Sequence, residues 1–126
     1  MNQIFQFAWL LSLITPFLLL DWKWALIVLL INFIGILPLG LVIIGLLKPI
    51  FGPGHWTLDF YTGISEGLFY LLLNSLINHP DNFLSALVIV YLINQVGRIF
   101  RASIQLDEVV TLVGFLSILI LNYLFR

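Results

Sequence analysis

The sequence predicts an all-α, polytopic integral membrane protein, a small bundle of 4–5 transmembrane helices joined by short loops. Three observations predict it. Of the 126 residues, 62% are hydrophobic and 9% are charged, and the mean hydropathy is +1.15. Such a chain cannot bury its apolar surface against itself in water and needs lipid as a solvent. The apolar residues also gather into five runs, at about 4–20, 24–47, 60–78, 83–100 and 109–125. Finally, almost all charges lie between the runs. The whole chain, 1–126, reads as a single transmembrane domain.

The first run, 4–20, holds no charge and would span about 25 Å as a helix, slightly short of the hydrocarbon core. No Lys or Arg precedes it, and the Asp21-Trp22-Lys23-Trp24 that follows is not a small-residue cleavage site. It therefore reads as a retained helix rather than a signal peptide. Pro16 lies inside it, behind Thr15; bilayer helices tolerate proline where a hydroxyl or a neighbour satisfies the freed carbonyl. Asp21 is placed to cap the second helix. Trp22 and Trp24 beside a charge pair read as interfacial anchors, as does Trp56, whereas Trp9 lies deeper and suits packing against a partner.

The second run contains Asn32 and the cluster Gly35, Pro38, Gly40, where a kink is expected. Lys48-Pro49 is expected to end it. A linker rich in Gly and Pro follows, with Ile50, Phe51 and Trp56 suited to the membrane interface. Thr57 or Asp59 is expected to cap the third run. His79-Pro80-Asp81-Asn82 forms a turn, with Asp81 or Asn82 capping the fourth run. The mixed stretch 98–108 either extends that helix or lies along the interface. Asp107 and Glu108 open the fifth run, where negative charge suits a helix N-terminus.

Five crossings place Lys48, Arg98 and Arg101 on the N-terminal side and Lys23 and Arg126 on the other, which points to a cytoplasmic N-terminus. If the first run only rests at the interface, four crossings remain and both termini share a face.

The polar residues of the third and fourth runs form two stripes. Thr62, Glu66, Tyr70 and Asn74 recur every four residues, on one helical face. Gly63 and Gly67 make a Gly-x-x-x-Gly pattern that lets another backbone approach. The fourth run carries Tyr91, Asn94, Gln95, Arg98 and Arg101. A hairpin turn centred between Pro80 and Asp81 sets Tyr70 opposite Tyr91, Glu66 opposite Gln95 and near Arg98, and Asp59 beside Arg101. An ionised Glu66 facing lipid would cost several kcal/mol, from about 2.5 upward. A buried, hydrogen-bonded cluster of Glu66 and Arg98 with Asn94 or Gln95 between them is the expectation, joined by Tyr70, Tyr91 and Asn74. Such a cluster either pins helix register or holds a proton or cation.

His55, Asp59 and Arg101 form a polar edge at headgroup depth. His55 and His79 flank the third run and fall on opposite faces, which disfavours a shared metal site; loop capping suits His55 better. A haem or chlorophyll would need a histidine within a run, although Asn, Gln or water can also ligate chlorophyll; the sequence names no cofactor. Asn32 and Asn122 are read as interhelical hydrogen-bonding residues. Thr111 and Ser117 can bond back to their own helix.

The net charge of −1 argues against a nucleic-acid surface. Absence of cysteine removes disulfides, thiolate metal sites and cysteine nucleophiles. No loop beyond about a dozen residues leaves room for a large aqueous active site, and no nucleophile–base–orienter set is visible. The expected partners are the lipid bilayer and other membrane subunits or further copies of the chain. The expected function is a non-enzymatic packing or assembly subunit of a larger membrane complex. The alternative is a homo-oligomeric transporter or channel for protons, ions or small solutes, built around Glu66. A membrane enzyme acting on lipid at the His55–Asp59–Arg101 edge is a third option.

Overall fold

The computed structural model describes residues 2–52, 55–78, 80–101 and 105–125, with the side chains at 2 and 34–40 left aside. Among the described residues the chain is all-α, without strands. Its helices are α1 (Asn2–Leu19), α2 (Trp22–Phe51), α3 (Trp56–Leu76), α4 (Phe83–Ile99) and α5 (Leu106–Leu124). Each expected run has become one helix.

The helix ends follow local chemistry, with three departures from expectation. Asp21 caps α2 as expected, its carboxylate accepting from Trp24 N–H at 3.3 Å. The helix does not stop at Lys48-Pro49 but continues to Phe51. Its stop is Gly52, which takes φ +87° and donates its N–H to Lys48 O at 2.8 Å. Glycine enters this backbone region without steric penalty. The second departure is at α3, where His55 is the cap rather than Thr57 or Asp59: its Nδ1 accepts from Thr57 N–H at 3.3 Å. The third is at α4, where Asn82 holds the N-cap position without a side-chain bond. The expected kink at Gly35, Pro38 and Gly40 falls where α2 runs on as helix.

By length and composition, α5 is long and apolar enough to cross a membrane, with 19 residues and mean hydropathy 1.6. Among the residues described with their side chains, the apolar helical stretches Gln3–Leu19 and Phe83–Ile99 are shorter, as are Trp22–Phe33 and Leu41–Phe51, the two described parts of the 30-residue α2. At 1.5 Å per residue, 17 residues cover about 26 Å, below the roughly 30 Å hydrocarbon core. Among the described residues this criterion supports one candidate span, fewer than the four to five expected from the sequence.

The most extensive contact in the fold is α3 against α5, and glycine makes it possible. A Cβ added to Gly63 would collide with Thr111 O and stand 2.8 Å from Phe115 N. One added to Gly67 would meet the Ile118 side chain, and one on Gly114 would meet Phe60 O. Partner numbers rise together along both helices, so α3 and α5 run parallel. The Gly-x-x-x-Gly face expected from sequence therefore receives α5. Close backbone approach of this kind gains van der Waals and weak Cα–H···O contacts.

α4 returns antiparallel and fills the groove beside this pair. Its Tyr91 ring stacks on Phe115 at 3.8 Å and meets Tyr70 edge-on at 5.9 Å. α2 lies antiparallel to α3 and touches α4 through the Trp24–Phe83 ring pair at 5.4 Å. Trp24 is thus held by the core's periphery rather than serving only as an anchor. α1 packs on α4: Gly97 faces Ala8 and Phe5, while Ala8 and Ser12 are buried. Trp9 lies on the exposed surface of α1.

At one end of the bundle, the α1–α2 and α3–α4 turns enclose a cleft of about 590 Å³ lined by Asp21, Trp24, Asn78, Asp81 and Asn82, among others. The other end gathers His55, Asp59, Arg98, Arg101, Asp107 and Glu108 at the remaining helix termini.

Gly63→Ala should destabilise the bundle by about 1–3 kcal/mol or more, because backbone atoms cannot swing aside as a flexible side chain can. Gly45, with nothing within 4 Å of an added Cβ, is the control: Gly45→Ala should be neutral or stabilising by up to about 1 kcal/mol. Thermal unfolding of both variants in the same detergent checks the contrast, and equal effects would contradict the glycine-dependent contact.

Candidate functional site

The polar stripe of α3 faces inward at mid-helix. Glu66 is 3% exposed, and Tyr70, Tyr91 and Gln95 are each 1% exposed. Tyr70, Tyr91 and Phe115 pack as a three-ring cluster from α3, α4 and α5, with Tyr70–Phe115 edge-on at 5.7 Å. Tyr70 and Tyr91 thus meet at the depth set by the hairpin turn. Thr62 bonds back to Leu58 O at 2.7 Å. Asn74, Asn94 and Arg98 are half-buried around this centre.

Hydrogen bonds extend from the rings in two directions. Toward α2, the Tyr70 hydroxyl donates to Asn32 Oδ1 at 2.7 Å, and Asn32 Nδ2 donates to Val28 O at 3.1 Å. Toward α5, Gln95 Nε2 donates to Glu108 O at 2.9 Å and to Glu108 Oε2 at 2.6 Å. The Tyr91 hydroxyl lies beside the Glu66 carboxyl, yet neither completes a hydrogen bond of ordinary geometry. Glu66 Oε2 and Tyr91 Oη are both buried and unpartnered. A buried polar atom left without a partner costs about 1–3 kcal/mol, and folded proteins hold few of them.

The expected bond between Glu66 and Arg98 is not formed. Arg98 lies within electrostatic reach of the carboxyl, but no ion pair joins them among the described residues, and Gln95 turns to Glu108 instead. The cause is the parallel packing of α3 on α5. It brings the first turn of α5 up to α4, where it offers Gln95 a carboxylate and a carbonyl at once.

The polar edge also divides differently. Asp59 does not join Arg101; the Arg101 guanidinium lies over the Phe5 ring at 5.1 Å, a cation–π arrangement. His55 lies between Phe51 and Trp56, with ring centroids 5.3 and 5.7 Å away, and its Nδ1 is 2.8 Å from Thr57 Oγ1. Asp59, just ahead of the apolar run of α3, is held above the usual carboxylate range by burial first, then by repulsion from Asp107 and Glu108. Among the described residues no group of three His, Cys, Asp or Glu side chains converges as a metal site would. His79, expected on the opposite face from His55, lies outside the described residues, as does Arg126.

Two residues of this centre were missed by the sequence reading of the polar stripes: Glu108 and Phe115. Asn32, an amide alone in a long apolar run, makes the interhelical hydrogen bond expected of it, to Tyr70. Glu108 read only as a favourable charge at a helix start. Phe115 is one phenylalanine among 11 and carried no signal. Comparison with protein-family models, curated proteins and solved structures gives no match.

Tyr70→Phe should lower stability by about 1–3 kcal/mol, since it keeps the ring and strands Asn32 Oδ1 without its donor. Detergent-solubilised unfolding curves test this, and an unchanged midpoint would mean that the bond contributes nothing. Asp59 supplies a pH test. Its folded pKa is raised above its unfolded value of 3.8, so the fold favours the protonated form. Its contribution to stability is full below that value and is lost as pH rises through the folded value. Asp59→Asn should therefore be more stable than the parent at neutral pH and should flatten the stability profile above pH 3.8. An unfolding midpoint followed across that range decides the matter.

Proposed function

We propose that this chain is a multi-pass integral membrane protein of 4–5 crossings, serving as a packing or assembly subunit of a larger membrane complex. The observation that carries this reading is the uncovered second half of α2. Leu41 is 70% exposed and Ile50 71%, Val42, Ile44 and Leu46 are exposed between them and Phe51 just after, and nothing beyond the helix's own backbone lies within 4 Å of a Cβ added at Gly45. Some 11 helical residues, charged only at Lys48, therefore stand clear of the bundle on nearly every side. Exposed apolar side chains also occur on each of the other helices. A bare apolar face of this extent marks a surface for lipid or protein. Helices shorter than the hydrocarbon core are accommodated by bilayer thinning or by association with neighbours, which agrees with a subunit role.

A second reading, transport built around Glu66, draws support from the unpartnered carboxyl. Its form differs from a pore between copies, because Glu66 lies in the core of one chain.

Native mass spectrometry of the protein, mildly solubilised from its own membrane, tests the first reading. Recovery with larger, unlike subunits is the expected result. A homo-oligomer or a lone monomer would overturn it.

A further inference from the structure

We propose that Glu66 is a proton-exchanging site, with Tyr91 as its hydrogen-bonding partner in both protonation states, reached from the bundle end that carries Glu108. This deepens the transport reading of Glu66 and rests on it, naming the ligand and the side from which it enters.

The argument begins with the two unpartnered atoms. A carboxylate only accepts hydrogen bonds, whereas a carboxylic acid also donates one; a phenol hydroxyl does either. Tyr91 Oη beside Glu66 can thus donate to the ionised form and accept from the neutral form. The change requires only that the hydroxyl proton turn. The ring itself is fixed, stacked on Phe115 at 3.8 Å and edge-on to Tyr70 at 5.9 Å. Tyr70 is already committed, donating to Asn32. A cluster meant only to pin helix register would pair its atoms in one state; this pair is poised between two.

The ligand follows from the donor set. A hard metal cation takes about six or more oxygen ligands. At the depth of Glu66 the chain supplies one carboxylate and one uncommitted hydroxyl. That set satisfies a proton, which needs a single acceptor. The exchange balances simply: a hydronium ion at the bundle end gives up its proton to the Glu66 carboxylate and leaves water, and the reverse step restores both.

The entry side follows from the polar lining. Gln95 is buried, and its amide bridges to Glu108 at 2.6 Å. Glu108 is half-buried in the first turn of α5, at the charged end of the bundle. Toward the opposite end, the rings of Tyr70, Tyr91 and Phe115 fill the core, followed by Leu87, Val90 and Phe83. The ionisable groups around Glu66 are Tyr70 on its own helix, Tyr91 and Arg98 on α4 and Glu108 on α5. α2 contributes the uncharged Asn32.

The test uses the full chain in vesicles of phosphatidylcholine and phosphatidylglycerol. Flotation with the vesicles and resistance to alkaline extraction come first, since a chain that washes off defeats the membrane and transport readings before the proton site is examined. Infrared difference spectra between acid and alkaline buffer are then recorded. The wild type should show a protonated-carboxyl band that titrates and shifts in deuterated buffer. Glu66→Gln should abolish it. Tyr91→Phe should shift the band, through loss of one hydrogen bond, without removing it; this variant retains the test if Glu66→Gln fails to fold. Gln95→Leu should slow deuterium exchange of the band about tenfold or more, as loss of a polar step in proton transfer does. In a chain that stays in the bilayer, a band that survives Glu66→Gln, or one unmoved by Tyr91→Phe, overturns the site. An unaltered exchange rate in Gln95→Leu overturns the route.

Discussion

Gly63 and Gly67 leave one flank of α3 bare of side chains, and α5 lies against it with Gly114 turned inward. Much else in the bundle depends on this contact. Because α3 and α5 are parallel, the helix between them in sequence must return in the opposite direction, and α4 does so in the groove beside them. That arrangement stacks Tyr91 on Phe115 and brings Gln95 to Glu108. Had either glycine carried a larger side chain, the helices would separate, and α4 would lose the floor on which its aromatic ring rests. In a bilayer, where apolar burial between helices gains little over lipid, such close packing is a main source of cohesion.

The polar centre uses the same scaffold for a different purpose. Asn32, Tyr70, Gln95 and Glu108 each find partners, while Glu66 and Tyr91 stand together without closing a bond. Ring packing on three helices positions the Tyr91 ring, and with it the hydroxyl beside the Glu66 carboxyl. The strain of an unsatisfied pair is thus local, surrounded by contacts that over-determine it. This differs from the charged end of the bundle, where Asp107 and Glu108 repel Asp59 and where Arg101 rests on an aromatic face instead of a carboxylate.

Much of this was legible in the chain. Five apolar runs became five helices because hydrophobic continuity and helix-end chemistry are local properties. Asp21 announced its cap, and Gly63 and Gly67 announced a close approach. The meeting of Tyr70 and Tyr91 followed from counting outward from the Pro80–Asp81 turn. What could not be read was non-local. The helix that the glycines receive depends on a match between faces of α3 and α5, across all of α4, and no short-range pattern encodes it. The error over Gln95 descends from that one, since a hairpin considered alone offers it only Glu66. The stop of α2 was misplaced for another reason. Pro49 lies close enough to the helix end for its missing N–H to matter little, while Gly52 supplies the left-handed turn that ends it.

The two functional readings are not rivals for the same atoms. The assembly reading concerns the outer surface, above all the stretch Leu41–Phe51 of α2. The proton reading concerns an interior that no neighbour would touch. A subunit whose sole role was adhesion would have little use for a buried acid, since an apolar side chain of similar volume would fill the core without a desolvation penalty. A self-sufficient transporter, conversely, would have little use for a bare apolar half-helix longer than its own bundle needs. Both features coexist in a chain of 126 residues. The two proposals combine into one: a proton-carrying subunit, in which the core acid would exchange protons from the charged end and the exposed half-helix would fasten the chain to a larger partner.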